Sequence, residues 1–412
     1  VALGLGQRDL LRVGVLLLAL PLVSAAVVAR TRFRLASSRR VAPSRVPVGT
    51  EATVTVDVEN VSRLPTGLLL VEDVVPYVLG TRPRFVVDRV EPHGRRSVTY
   101  RVRSDVRGRY PLGPLALRLT DPFGMVELRR SFATRDTLVV TPQVHRLPAV
   151  PLGGEWAGGG DSLARSVAAA GDDDVATREY RLGDPLHRVH WRSTARLGEL
   201  MVRREEQPWQ SRCTLLLDAR ASAHRGEGLQ SSFEWAVSAA ASIGIHLAHR
   251  GVALRLITDS GAGVTSAAHD PALGVGDFEG ALLDALAVVT PSANRTLRGA
   301  SDGLRRGGGD GLLVAVLGLL DAEETTALAR LRHGGTSAVA VLLDATSWIA
   351  LPARTRAAAA ETYAGQAAVL GSAGWRVLSV RADDQLPAVW PRAAHHLSGG
   401  ARATAPGPGR AG

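Results

Sequence analysis

Five short, mainly apolar runs recur along the second half of this chain, at 213–217, 253–257, 312–317, 338–343 and 375–380. Apolar runs of this length without polar alternation are what strands buried on both faces require. Between them, 229–249, 278–288, 322–332 and 357–370 read as helices; Phe233, Val237, Ile243 and Leu247 show the spacing of one helical face. This alternation predicts a mostly parallel sheet with helices on both sides, a doubly wound α/β domain over 212–398. Ligands of such sheets bind beyond the carboxyl ends of the strands. Three of those ends carry acids, Asp218, Asp259 and Asp344, and Asp321 follows the 312–317 run by a few residues. Carboxylates gathered there could hold Mg²⁺ through oxygen ligands.

Upstream, from 46 to 144, the pattern changes to period two, as in Thr53-Val-Thr-Val-Asp-Val-Glu and Arg96-Ser-Val-Thr-Tyr-Arg-Val-Arg. Turn formers interrupt it at Leu64-Pro-Thr-Gly67, Glu91-Pro-His-Gly94 and Asp121-Pro-Phe-Gly124. Short strands at this spacing predict a β-sandwich of immunoglobulin-like architecture over 31–148. Its strands read as a passive scaffold, or as offering one sheet edge to a partner. The glycine-rich and acidic stretch 149–177 reads as a linker or flap, and 399–412 as a disordered tail.

Residues 13–29 are seventeen in number, with Ser24 polar and Pro21 inside. That is about the minimum for a bilayer span, and residues 1–30 are assigned as a transmembrane helix. Six arginines between 30 and 45 follow it. By the positive-inside rule they place 30–412 on the cytoplasmic side of the cell membrane.

The formal net charge is +10, all 49 basic residues being arginine. The arginines are spread along the chain without aromatic interleaving, so no nucleic acid is expected as a partner. The single cysteine, Cys213, excludes an internal disulfide and reads as core packing. No nucleophile triad, phosphate loop, His-Glu-x-x-His or cysteine pair is present, so no catalytic residues are assigned.

The densest signal is Arg178-Glu-Tyr-Arg-Leu-Gly-Asp-Pro-Leu-His-Arg-Val-His-Trp-Arg-Ser-Thr-Ala-Arg196. Asp184 at the N-cap and Pro185 at the first position start a helix over 186–195, and Gly198 ends it. Arg188, Arg192 and Arg196 then share a face. They form either a salt-bridged clasp with nearby acids or a docking surface for an acidic partner. His187 and His190 lack the further ligands a metal pair needs.

This segment, with Leu215-Leu-Leu-Asp218 after it, resembles the bacterial membrane-associated family called domain of unknown function 58, in which it is joined to a von Willebrand factor A-like fold. The resemblance implies a docking surface at Arg178, Glu179, Tyr180, Gly183, Asp184, Arg188, Trp191 and Arg196, with a MoxR-type AAA+ ATPase as partner. It also implies a first membrane helix ahead of residue 1. Von Willebrand A domains hold Mg²⁺ with Asp-x-Ser-x-Ser. Here Asp218-Ala-Arg-Ala-Ser222 keeps Asp218 and Ser222 but carries Arg220 in the middle. A guanidinium repels a divalent cation and can replace it by pairing with Asp218, so no cofactor is expected. The implied function is a membrane-anchored, cytoplasm-facing scaffold or adaptor, acting with the ATPase in assembly or maturation of envelope proteins. The alternative is a Mg²⁺-dependent hydrolase using Asp218 with Asp259 or Asp321.

Overall fold

The computed structural model describes residues 8–30, 35–63, 65–66, 68–120, 127–150, 177–179, 191–203, 212–261, 263–265, 275–306, 311–331 and 337–394. The expected linker (but for 149, 150 and 177) and the tail lie outside these residues. By internal contact the chain divides into two units, 1–143 with 283–289, and 144–282 with 290–412.

The first unit opens with helix α1 (Arg8–Arg30), which contains Pro21. The transmembrane assignment is corrected here: among the described residues no helix is long and apolar enough to cross a membrane. The uncharged run of seventeen residues spans about 25 Å at ~1.5 Å per residue, short of a hydrocarbon core of about 30 Å. Arg8, Asp9 and Arg12 charge the first turns, with Arg12 paired to Asp9 at 3.1 Å.

Ten strands follow: β1 (Leu35–Ala42), β2 (Arg45–Pro47), β3 (Glu51–Asn60), β4 (Leu69–Asp73), β5 (Arg84–Val87), β6 (Arg95–Arg103), β7 (Gly108–Leu112), β8 (Leu115–Thr120), β9 (Glu127–Phe132) and β10 (Asp136–Thr141). Instead of the two sheets of a simple sandwich they form three, in orders β1-β3-β6, β2-β10-β7 and β5-β4-β8-β9. The period-two pattern explains the shared core. Ala52, Val54, Val56 and Val58 of β3 all point inward, each valine contributing about 1.5–3 kcal/mol by burial. Arg39 of β1 links the sheets. It grips Asp73 of β4 through Nε (3.0 Å) and Nη2 (2.6 Å) and reaches Asp136 of β10 at 3.2 Å. Tyr100 of β6 donates to the same Asp73 at 2.6 Å. Burial opposes the charge on Arg39, but its hydrogen bonds and charge contacts with Asp73 and Asp136 raise its pKa above the ordinary value.

The second unit starts with β11 (Thr177–Glu179), α2 (Trp191–Leu197) and β12 (Met201–Arg203), where β11 pairs antiparallel with β12. Then come β13 (Arg212–Leu217), α3 (Ser232–Ala248), β14 (Ala253–Thr258), β15 (Gly263–Thr265), α4 (Val275–Val288), α5 (Arg298–Arg306), β16 (Leu312–Leu317), α6 (Ala322–Ala329), β17 (Ser337–Leu343), α7 (Ala353–Ser372), β18 (Arg376–Val380) and α8 (Leu386–Val389). The last turn of α4 belongs by contact to the first unit. The sheet order is β15-β14-β13-β16-β17-β18, parallel except for β15 at one edge. The chain passes from β13 outward to β14, then crosses back to lay β16 on the other side of β13. That reversal opens a crevice at the carboxyl ends of β13 and β16, where ligands of open α/β sheets bind. Every residue of β16 is buried, which accounts for its unbroken apolar run.

Candidate functional site

The crevice between β13 and β16 is closed by one side chain. Asp218 follows β13 directly, and its backbone N–H continues the ladder to the Val316 carbonyl at 2.9 Å. The turn after it places Arg220 over the strand ends, and its side chain is only 3% exposed. Nε donates to Asp218 Oδ1 at 2.9 Å and Nη2 to Oδ2 at 2.8 Å, a bidentate fork. Nη2 also reaches the Leu319 carbonyl at 3.1 Å, and Nη1 the Arg295 carbonyl at 3.4 Å and the Glu324 carboxylate. All five guanidinium N–H groups therefore have acceptors. Burial alone disfavours this charge, but the hydrogen bonds and charges of Asp218 and Glu324 outweigh it, and the Arg220 pKa is raised.

Asp218 is equally engaged. Besides the guanidinium, Oδ1 accepts the Arg220 N–H at 3.1 Å and Oδ2 the Gly318 N–H at 3.3 Å. Its carbonyl accepts from His224 Nε2 at 2.8 Å, while His224 Nδ1 faces the Ser232 hydroxyl at 3.2 Å. The carbonyl can only accept, so Nε2 carries the proton and Nδ1 accepts from Ser232. Burial is the main cause that holds the His224 pKa below its ordinary 6.5. Ser222, the other residue matched to the metal pattern, is exposed in the 3-10 turn Ala221–Ala223. Among the described residues no group of three or more His, Cys, Asp or Glu side chains is arranged to hold a metal ion.

The neighbouring acids are held by other partners. Asp259, buried after β14, accepts from Ser292 Oγ at 2.6 Å and Asn294 Nδ2 at 2.8 Å. Asp321 caps α6: its carboxylate accepts the Glu324 N–H at 2.7 Å, while Glu324 Oε2 accepts the Asp321 N–H at 3.0 Å. Glu324 thus joins the capping box to the Arg220 cluster. The sequence reading missed Glu324, Ser292 and Asn294. The Asp-x-x-Glu spacing after the 312–317 run is a capping-box signal that points to Glu324; no comparable signal marks Ser292 or Asn294.

Of the residues assigned to docking, Tyr180, Gly183, Asp184 and Arg188 lie outside the described residues. Arg178 and Glu179 lie on β11, in register with Val202 and Met201. Trp191 opens α2 and is 68% exposed; Arg196, in the last turn, is exposed as well. Gly198 ends this helix as expected, at φ 77° with its N–H on the Thr194 carbonyl at 2.9 Å. Thr194 accepts the Met201 N–H at 3.0 Å, tying α2 to β12. Arg178 and Glu179 lie in the two-stranded β11–β12 sheet, whereas Asp218 follows β13 of the six-stranded sheet.

No curated protein matches the chain. Among solved structures it is similar to the CARDB domain of the PF1109 protein from Pyrococcus furiosus, with 20% identity over 26% of this chain and 88% of that one, at a TM-score of 0.20. It is also similar to the ApaA protein from Bordetella pertussis, with 10% identity over 26% of this chain and 93% of that one, at a TM-score of 0.21. TM-scores this low carry no argument about fold or function. Residues 176–367, which contain the Arg220 cluster and the whole 178–196 segment, match the family model "Protein of unknown function DUF58", and this part of the chain belongs to that family.

Proposed function

We propose that this chain is a partner-binding adaptor that needs no metal at the carboxyl edge of its six-stranded sheet. The observation that carries this reading is the closed crevice. Arg220 occupies the place where an open α/β sheet receives a ligand, and it engages both oxygens of Asp218. A hydrolase would need those oxygens free for a cation or a substrate. The interaction surface is then sought outside the crevice, and the exposed pair Trp191 and Arg196 on α2 offers one. Tryptophan and arginine are the side chains that most often anchor protein interfaces.

The partner we propose is a MoxR-type AAA+ ATPase, on the strength of the family membership; this reading does not depend on a membrane anchor. The test is capture with the tagged full chain from cells of a bacterium that carries it, read by mass spectrometry, beside a Trp191→Ala/Arg196→Ala variant. Both side chains are exposed, so the variant keeps its fold. Enrichment of an AAA+ ATPase by the native chain and its loss from the variant is the expected result. Absence of any AAA+ ATPase, with the bait shown to be folded, would refute the partner assignment.

A further inference from the structure

The first unit contains a groove that the adaptor reading does not use. It has a volume of about 890 Å³ and is lined by Pro76, Tyr77, Arg82, Pro111, Pro114 and Arg135, among others. Its wall is built by the chain reversal after β4. Leu79 is buried and pins the 3-10 turn Tyr77–Leu79, and Gly80, at φ 120°, lets the chain turn away. Tyr77 is left on the outside of this turn and is 91% exposed. The opposite side is clamped to β4's end by Gly113 N–H on the Val74 carbonyl at 2.8 Å and by Val74 N–H on the Pro114 carbonyl at 3.3 Å. The groove is therefore formed before anything enters it, which lowers the ordering cost of binding.

The lining of this groove is positively charged, as is the surface at Arg40, Arg63, Arg96 and Arg109, which are also exposed without a carboxylate partner among the described residues. Arg84, Arg101, Arg103 and Arg129 each have a carboxylate within 3.3 Å. Arg82 and Arg135 are exposed, and neither pairs with a carboxylate among the described residues. No Asp or Glu lines the groove. Two arginines without a carboxylate partner among the described residues thus share this lining with proline, valine and tyrosine. Guanidinium groups bind carboxylates in a bidentate fashion, and grooves lined by aromatic side chains and proline accept extended peptide segments.

We infer that this groove docks an acidic, extended peptide segment of a partner protein, its carboxylates held by Arg82 and Arg135 and its apolar side chains by Tyr77 and the prolines. A nucleic acid fits less well, because it demands a run of cations along its phosphates rather than two beside an apolar floor. The inference does not rest on the ATPase reading. It concerns the other unit, and its assay uses a synthetic probe, so the two can fail separately.

The experiment is fluorescence polarisation of the purified full chain with a fluorescein-labelled peptide alternating glutamate with proline and leucine. A second peptide carries glutamine in place of glutamate. The glutamate peptide is expected to bind about tenfold tighter than its glutamine counterpart and to weaken with added salt. Arg82→Glu/Arg135→Glu should lower its affinity at least about tenfold, and Tyr77→Ala about fivefold. Thermal unfolding checks that the variants are folded; if charge reversal perturbs the fold, Arg82→Gln/Arg135→Gln makes the same test. Equal binding of both peptides, no change in the variants, or no binding of the glutamate peptide up to about 1 mM overturns the inference. Tighter binding of a DNA oligonucleotide of equal charge also overturns it, and assigns the groove to phosphates.

Discussion

Replacing Arg220 by methionine isolates the charge at the crevice, because methionine's unbranched chain fills irregular space without a polar head. In the native unit the guanidinium lies between two carboxylates whose side chains are 0% and 7% exposed, Asp218 and Glu324. The shorter arm to Asp218 is 2.8 Å; at an effective dielectric near 20 such a contact is worth about 6 kcal/mol before desolvation is counted. Desolvation of the buried groups offsets much of this, so the cluster's net contribution to stability is small. Removing one partner is different, since it leaves the other charges buried without compensation, at about 3–5 kcal/mol. Two carboxylates lose their cation here, so the upper part of that range is expected. All seven tryptophans lie in the second unit and none in the first. Urea unfolding followed by tryptophan fluorescence therefore reports on this unit alone. The Arg220→Met midpoint should drop by the equivalent of about 4–5 kcal/mol. Adding Asp218→Asn and Glu324→Gln should recover at least half of it, because the charges left unpaired are then gone. A loss under about 1 kcal/mol in the single variant would refute the reasoning, since surface arginines behave that way and buried ones do not.

Gly318→Ala should destabilise the same unit by about 2 kcal/mol or more, because a Cβ there would sit 2.3 Å from the Ala223 carbonyl oxygen; the same urea titration checks it, and an unchanged midpoint would contradict the close approach. Stability of the second unit should also fall as the pH drops below about 6.5. Burial depresses the His224 pKa in the folded state, so the unfolded chain takes up a proton that the folded one resists, and more protons on the unfolded state mean lower stability at lower pH. The His246 pKa is lowered in the same direction, with burial the largest cause, so His224→Gln should reduce the pH slope without abolishing it; an identical slope would show that His224 titrates as freely in the fold as out of it.

The apolar runs of the second half were sufficient to locate β13, β14, β16, β17 and β18; the central β16 and β17, buried on both faces, leave no room for polar alternation. The Asp218–Arg220 pair was legible for a related reason. The two residues are two apart, and a carboxylate at a strand end lies within reach of a guanidinium in the turn that follows. Gly198 was legible as a helix stop because few other residues adopt positive φ at low cost. The apolar stretch in α1 misled, because hydropathy marks an apolar run while crossing a bilayer also demands length. Helix α5 could not be read from Arg298-Gly-Ala-Ser-Asp-Gly-Leu-Arg-Arg306, whose two glycines weaken any helix. Gly299 is needed by the tertiary structure: a Cβ there would lie 2.9 Å from the Asp259 carbonyl oxygen. Glu324 entered the cluster from 104 residues beyond Arg220, and Arg39 met Asp73 and Asp136 across three sheets. Local pattern determined the strands β13, β14, β16, β17 and β18 and the pairing of Arg220 with Asp218. Only the packed sheet decided what closes the crevice, because a buried cation takes its remaining partners from whichever chain segments the fold carries past it.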